Sequence, residues 1–154
     1  MSLAVMVQMI LILIFKHGLF KGMPRPAEYL KGISFYQVPG IELHHWNSFP
    51  SGHTATAMVI AAGFMIIFKR NRQIQWLALT AGLVVAFSRV YLMQHFFVDI
   101  FAGAALGMIS AWIARSLYFR WFPNYKFNRS ILVYFGYGKR KEGTVPIKNP
   151  GISA

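Results

Sequence analysis

Four long apolar runs, interrupted by short polar stretches, dominate the chain: Leu3 to Phe15, Thr54 to Phe68, Ile74 to Leu92 and Phe96 to Phe119. The third and fourth approach the roughly 20 residues that a helix needs to cross a bilayer core. The second reaches that length only if its helix starts back at Ser51. The first falls short. It also begins at Met1 with no basic segment and no A-x-A-like site, so it does not read as a signal peptide. It reads instead as the later part of a membrane helix, with earlier membrane segments absent. The pattern predicts an all-α, multi-pass transmembrane helix bundle in which four membrane helices are present and N-terminal ones are missing. No internal repeat is visible.

Composition supports a membrane as the solvent. Hydrophobic residues make up 56% of the 154 and aromatic residues 16%, and the mean hydropathy is +0.45, too apolar for an ordinary soluble domain. With no cysteine, disulfides, thiolate metal sites and a cysteine nucleophile are all excluded. The net charge of +12 sets sixteen Lys and Arg against Glu28, Glu42, Asp99 and Glu142. These charges sit between the apolar spans, a distribution that favours membrane topology over a nucleic-acid partner. Lys69, Arg70 and Arg72, and the basic residues from Arg115 onward, place both regions on the cytoplasmic side by the positive-inside rule. The loop from Lys16 to Phe49 and the turn around Met93 to His95 then share the outer face. Tyr118, Phe119, Trp121 and Phe122 form an expected aromatic belt at the cytoplasmic end. Residues 1–135 are expected to form the membrane domain, and 136–154 a disordered basic cytoplasmic tail.

Polar residues at the outer ends of these spans change the picture from anchor to site. Pro50-Ser51-Gly52-His53 opens the second span. With Ser51 as N-cap and Gly52 allowing close approach, that helix start suits an anion such as phosphate, with His53 facing it; the same residues also serve as plain helix punctuation. Arg89 closes the third span, and His95 and Asp99 open the fourth at four-residue spacing, on one helical face. A carboxylate there is costly unless paired. Asp99 accepting one imidazole N–H would leave the other nitrogen of His95 as nucleophile or base, or the two would simply lock neighbouring helices. In the outer loop, Arg25 lies between Pro24 and Pro26, a stiff setting for its guanidinium fork. Lys16 and Lys21 could each add a point charge; Lys21 and Lys31 read better as topological or headgroup contacts. Together the three clusters form a phosphoryl-transfer kit without a metal.

The first two clusters carry a resemblance. The chain resembles the type 2 phosphatidic acid phosphatase family, membrane lipid phosphatases related to vanadium haloperoxidases, whose signature runs K-x6-RP, PSGH, SR-x5-H-x3-D. Pro50-Ser51-Gly52-His53 matches in full, as do Ser88-Arg89, His95 and Asp99. The first motif departs: eight residues separate Lys16 from Arg25-Pro26, and three separate Lys21 from them. Lys16 is the preferred equivalent because the family's lysine ends a helix. The resemblance implies that Lys16, Arg25, Ser51, the Gly52 amide and Arg89 hold phosphate oxygens. It further implies that His95, oriented by Asp99, attacks phosphorus to give a phosphohistidine, and that His53 protonates the leaving group and then helps to activate water. It implies no metal and no cofactor. It also implies two further helices before the one bearing Lys16.

The expected substrate is a phosphorylated lipid such as undecaprenyl pyrophosphate, phosphatidylglycerophosphate, phosphatidic acid or a lipid A phosphate, acted on at the outer or periplasmic face of a bacterial inner membrane. Phe96 and Phe97 could flank its tail or simply face lipid. His44, His45 and Trp46 could shape a lid or form a hydrated loop. A phosphotransferase, and a truncated, catalytically silent protein that binds anionic lipid, are the competing readings; a haloperoxidase is disfavoured by the membrane-length spans. Oligomeric state is not legible.

Overall fold

The structure is a computed structural model that describes residues 1–121. The expected boundary at residue 135, the basic tail from 136 and Phe122 lie outside the described residues. The described chain runs α1 (Ser2–Leu13), a π-helical continuation (Ile14–Leu19), the one-turn α2 (Pro26–Tyr29), α3 (Gly52–Ile67), α4 (Arg72–Tyr91) and α5 (Phe97–Trp121).

The apolar runs become helices with starts set by their polar flanks. Ser51 caps α3 by accepting the Thr54 amide at 3.4 Å, and Asn71 caps α4 by accepting that of Ile74 at 3.1 Å, the N-cap chemistry that ends the preceding loop. Pro26 opens α2, where its missing N–H costs nothing. One expectation needs correction. The first apolar run is not too short to span, because the helix continues through the π segment and makes an 18-residue span, Ser2–Leu19, apolar enough overall to cross a membrane. Arg72–Tyr91 and Phe97–Trp121 are also long and apolar enough to cross a membrane. At 16 residues, α3 is shorter, about 24 Å along its axis.

This short helix is the centre of the bundle and packs against α1, α4 and α5. It runs antiparallel to α1, with Ile12 beside Gly52, Gln8 beside Thr56 and Met1 beside Gly63. Its other face meets the small-residue stripe of α5, where Gly103, Gly107, Ala111 and Ala114 are buried. A Cβ at Gly103 would strike the carbonyl oxygen of Ser51, and one at Gly107 that of Ala55. Glycine is therefore required for α3 and α5 to approach this closely, the small-residue packing that membrane helices use in place of a hydrophobic driving force. Ala4, Val59, Ala62, Ala111 and Ala114 complete the core below. Trp76, Val84, Phe101 and Trp112 are largely exposed, as expected of side chains solvated by lipid.

Candidate active site

The outer loop is tied down before it reaches the helices. Segments 22–25 and 45–48 lie antiparallel: the Gly22 amide donates to Asn47 Oδ1 at 3.0 Å, the Arg25 amide to the His45 carbonyl at 2.8 Å and the Ser48 amide to the Met23 carbonyl at 3.0 Å. Pro24 and Trp46 form the bridge between them. This ribbon delivers Arg25 and Ser48 to the helix ends from opposite strands.

At the centre stands His95. It falls in the turn before α5 rather than within the helix, and it is 1% exposed. Its Nδ1 lies 3.3 Å from Asp99 Oδ2, which leaves Nε2 as the second ring nitrogen. The same carboxylate oxygen accepts the Phe96 amide at 2.9 Å and the Ser48 hydroxyl. Asp99 thus anchors the first turn of α5, where the positive end of the helix dipole favours a carboxylate, and it also holds the imidazole. Its backbone carbonyl accepts the Ser51 amide at 3.0 Å, fastening the start of α3 to the start of α5. Burial pushes the His95 pKa below the ordinary imidazole value; the hydrogen bond that its ring N–H gives to Asp99 works against that shift, and the positive charges of Arg25 and Lys16 work with it. The shift favours the neutral imidazole, the state in which a ring nitrogen carries a free lone pair.

Arg25 is buried under the ribbon. Its Nε donates to the Trp46 carbonyl at 3.0 Å and its Nη1 to that of Gln94 at 3.2 Å, so the guanidinium is fixed between loop and turn with the rest of its fork uncommitted. Burial lowers its pKa from the usual range, opposed by the Asp99 carboxylate, yet a guanidinium stays charged. Lys16 extends from the π segment. Such segments are frequent at functional sites because they re-aim side chains.

Lys16, Arg25, Gly52, His53 and His95 line one cavity of about 810 Å³. Below this polar mouth the cavity becomes a groove along the seam of α3 and α4. Ala57, Ile60, Ala61 and Phe64 form one wall, and Ile74, Leu77, Ala78, Ala81 and Val85 the other. A second, open cavity of about 770 Å³ shares Lys16 and Arg25 and is lined also by Glu28, His44, His45 and Trp46. His45 is bound there by Glu28, Nδ1 to Oε2 at 2.9 Å.

The remaining expected site residues stand behind or beside that mouth. Ser51 is fully buried and caps α3, also accepting the Thr54 hydroxyl at 3.0 Å. Asp99 stands behind His95. Arg89 is outside the lining, its Nε on Ser88 Oγ at 3.3 Å, although its charge reaches His53. Lys21 is exposed and lines neither cavity, whereas Lys16 lines both. Phe96 pairs edge-on with Tyr29, and Phe97 with Phe87 at a tilt. Among the described residues no His, Cys, Asp and Glu side chains gather in a group of three that could hold a metal ion. Sequence reasoning missed Ser48, which meets Asp99 across 51 positions, and Gln8, which looked like one polar residue in an apolar run.

Comparison with known proteins agrees with this geometry. The PAP2 superfamily pattern matches residues 1–123. The chain is 36% identical over 104 residues to the Bacillus licheniformis protein named bacitracin transport permease protein BcrC, an overlap that covers 67% of this chain and 46% of that protein. It is 36% identical over 62 residues to undecaprenyl-diphosphatase BcrC of Bacillus subtilis strain 168, covering 40% of this chain and 31% of the relative. The chain thus spans less than half the length of the curated relatives it matches. The crystal structure of Aquifex aeolicus LpxE superposes with a TM-score of 0.63 at 30% identity, covering 75% of this chain and 64% of LpxE.

Proposed function

The chain belongs to the PAP2 superfamily, and from that membership and the cavity we propose that it is an integral-membrane lipid phosphatase acting on a phosphomonoester or diphosphate of a lipid. The carrying observation is the join between the two halves of one cavity: cations and a carboxylate-held imidazole at the mouth, and an apolar seam beneath them. A phosphorylated headgroup fits the first and its hydrocarbon tail the second.

In this reading Lys16, the Arg25 fork and the Gly52 amide hold the phosphate oxygens, while Ser51 caps the helix that presents that amide and Arg89, outside the lining, adds its positive charge from behind. His95 Nε2 attacks phosphorus while Asp99 holds Nδ1–H, forming an N–P bond as the P–O bond to the leaving group breaks. His53 gives its proton to that departing oxygen. Water, deprotonated by the now neutral His53, then attacks the phosphohistidine and releases inorganic phosphate with His95 restored. Fixed donors around the equatorial oxygens supply most of the stabilisation, since the transition state spreads its charge over them. The relative named as an undecaprenyl-diphosphatase makes an isoprenyl diphosphate the first substrate to try. The site would face outward across a bacterial inner membrane. In a chain without cysteine, Lys31→Cys should react with an impermeant thiol reagent from outside intact cells; labelling only after lysis would reverse the orientation.

The reading is tested by phosphate release from undecaprenyl pyrophosphate, phosphatidylglycerophosphate and phosphatidic acid in EDTA. Turnover should persist in the chelator, stop with vanadate and vanish in His95→Ala. Undiminished turnover in that variant would remove His95 from the role assigned to it.

A further inference from the structure

Gln8 has no part in the mechanism above, yet it lines the same cavity as Lys16, His53 and His95 while being 3% exposed. Its Oε1, at 3.3 Å, shares the single Thr56 hydroxyl proton with the Gly52 carbonyl, at 3.1 Å. Among the described residues its amide nitrogen has no protein partner. No buried side-chain nitrogen or oxygen among the described residues lacks a partner, so this nitrogen is open to the cavity that Gln8 lines, where a ligand acceptor can reach it.

Its level in the bundle gives that nitrogen a use. The antiparallel register sets Gln8 against Thr56, one helical turn, about 5.4 Å, from Gly52 towards the groove. Above are the cations and imidazoles. Below are Ile60 and Phe64. Gln8 therefore marks the boundary between headgroup and tail. A lipid monophosphate bound with its phosphorus at His95 would bring alkyl carbons to this boundary and leave the amide unpaired. A lipid diphosphate would bring its inner, tail-side phosphate.

We propose that Gln8, held by Thr56, donates its amide N–H to the inner phosphate of a lipid diphosphate and so selects diphosphate over monophosphate lipids. This rests on the phosphatase reading. When the outer phosphorus passes to His95 Nε2, the bridging oxygen keeps the electron pair of the broken P–O bond and takes its proton from His53. Charge developing on the inner phosphate then meets the Gln8 donor. A neutral amide suits that place, because the inner phosphate must leave with the tail, and a buried cation would retain it.

The test compares farnesyl diphosphate with farnesyl monophosphate, which share one tail, on the full chain in detergent. Wild type should favour the diphosphate, and Gln8→Leu should lower kcat/KM for it about tenfold while changing that for the monophosphate less than about twofold. Gln8→Glu, which swaps the donor for a like charge, should lower the diphosphate value further. If Gln8→Leu does not fold, Gln8→Asn, which keeps the amide but shortens its reach, should lose the same preference. Equal loss on both substrates would show a helix-packing role and overturn the proposal, as would no loss on either. Thermal stabilisation of His95→Ala by the two ligands separates this proposal from the phosphatase reading. Stronger stabilisation by the diphosphate that disappears in the double variant with Gln8→Leu supports the Gln8 contact even without turnover. Equal stabilisation by the two ligands would overturn it.

Discussion

In the proposed mechanism, His95 depends on groups that do not themselves touch substrate. Asp99 Oδ2 fixes the imidazole at Nδ1 and is itself held by Ser48 and the Phe96 amide. Ser48→Ala would leave that carboxylate with one donor fewer and a looser grip on the ring. The expected result is a fall in kcat of about tenfold, roughly 1.4 kcal/mol, with KM nearly unchanged, read from phosphate release; an unchanged kcat would make Ser48 a loop-closing residue only. The pH profile follows from the lowered pKa of His95, whose first cause is burial, opposed by Asp99 and reinforced by Arg25 and Lys16. The acid limb of kcat/KM should therefore lie below the ordinary imidazole value of about 6.5. The sign for stability runs the same way. As pH falls, the unfolded chain takes up the proton first, so this contribution to stability is complete above about 6.5 and is lost as pH falls towards the folded pKa. An acid limb above 6.5 would place another group in control. The pairing of His95 with Asp99 was legible because four-residue spacing is short-range, even though His95 sits in a turn rather than on the helix. Ser48 was not legible, since only the folded ribbon brings it to Asp99.

Helix ends position the site, and helix packing holds those ends together. The start of α3 rests on the start of α5 through the Ser51 amide and Asp99 carbonyl, and Gly103 lies one turn below that bond against the Ser51 carbonyl. Gly103→Ala should push the two helices apart at the catalytic end, and Gly107→Ala should do so one turn deeper, against the Ala55 carbonyl. Each should cost about 1–3 kcal/mol, the usual range for overpacking against atoms that cannot move. Gly82→Ala meets mainly the flexible Met58 side chain, its Sδ at 2.9 Å, and should cost less. Thermal unfolding in detergent would rank them, with Gly103→Ala also losing activity; a Gly82→Ala loss equal to that of Gly103→Ala would refute the packing argument. The four helices and the Ser51 cap could be read from hydrophobic runs and punctuation. The contact face at Gly103 and Gly107 was not singled out in the sequence, and only the packing against the Ser51 and Ala55 carbonyls shows it. The π segment was not readable either, because its wider turn has no compositional mark; it alone makes the first helix long enough to span and sets Lys16 at the cavity.

Across the whole molecule, one end is cationic and the seam below it apolar. In the proposed function, phosphate meets the fixed positive groups where the helices start, and the hydrocarbon of the same ligand continues between α3 and α4. Sequence motifs indicated the first half of this arrangement. The groove was beyond them, since alanines and leucines on two separate helices declare no ligand until antiparallel packing aligns their stripes. The central claim is that the phosphoryl group passes through His95, and the direct test is to trap it there. Protein mixed with outer-phosphate-labelled undecaprenyl pyrophosphate should be quenched in alkali within a turnover and its peptides examined. The account predicts acid-labile label on the peptide carrying His95 and none in His95→Asn. Steady phosphate release by the wild type, with no label on that peptide and release retained in His95→Asn, would contradict it.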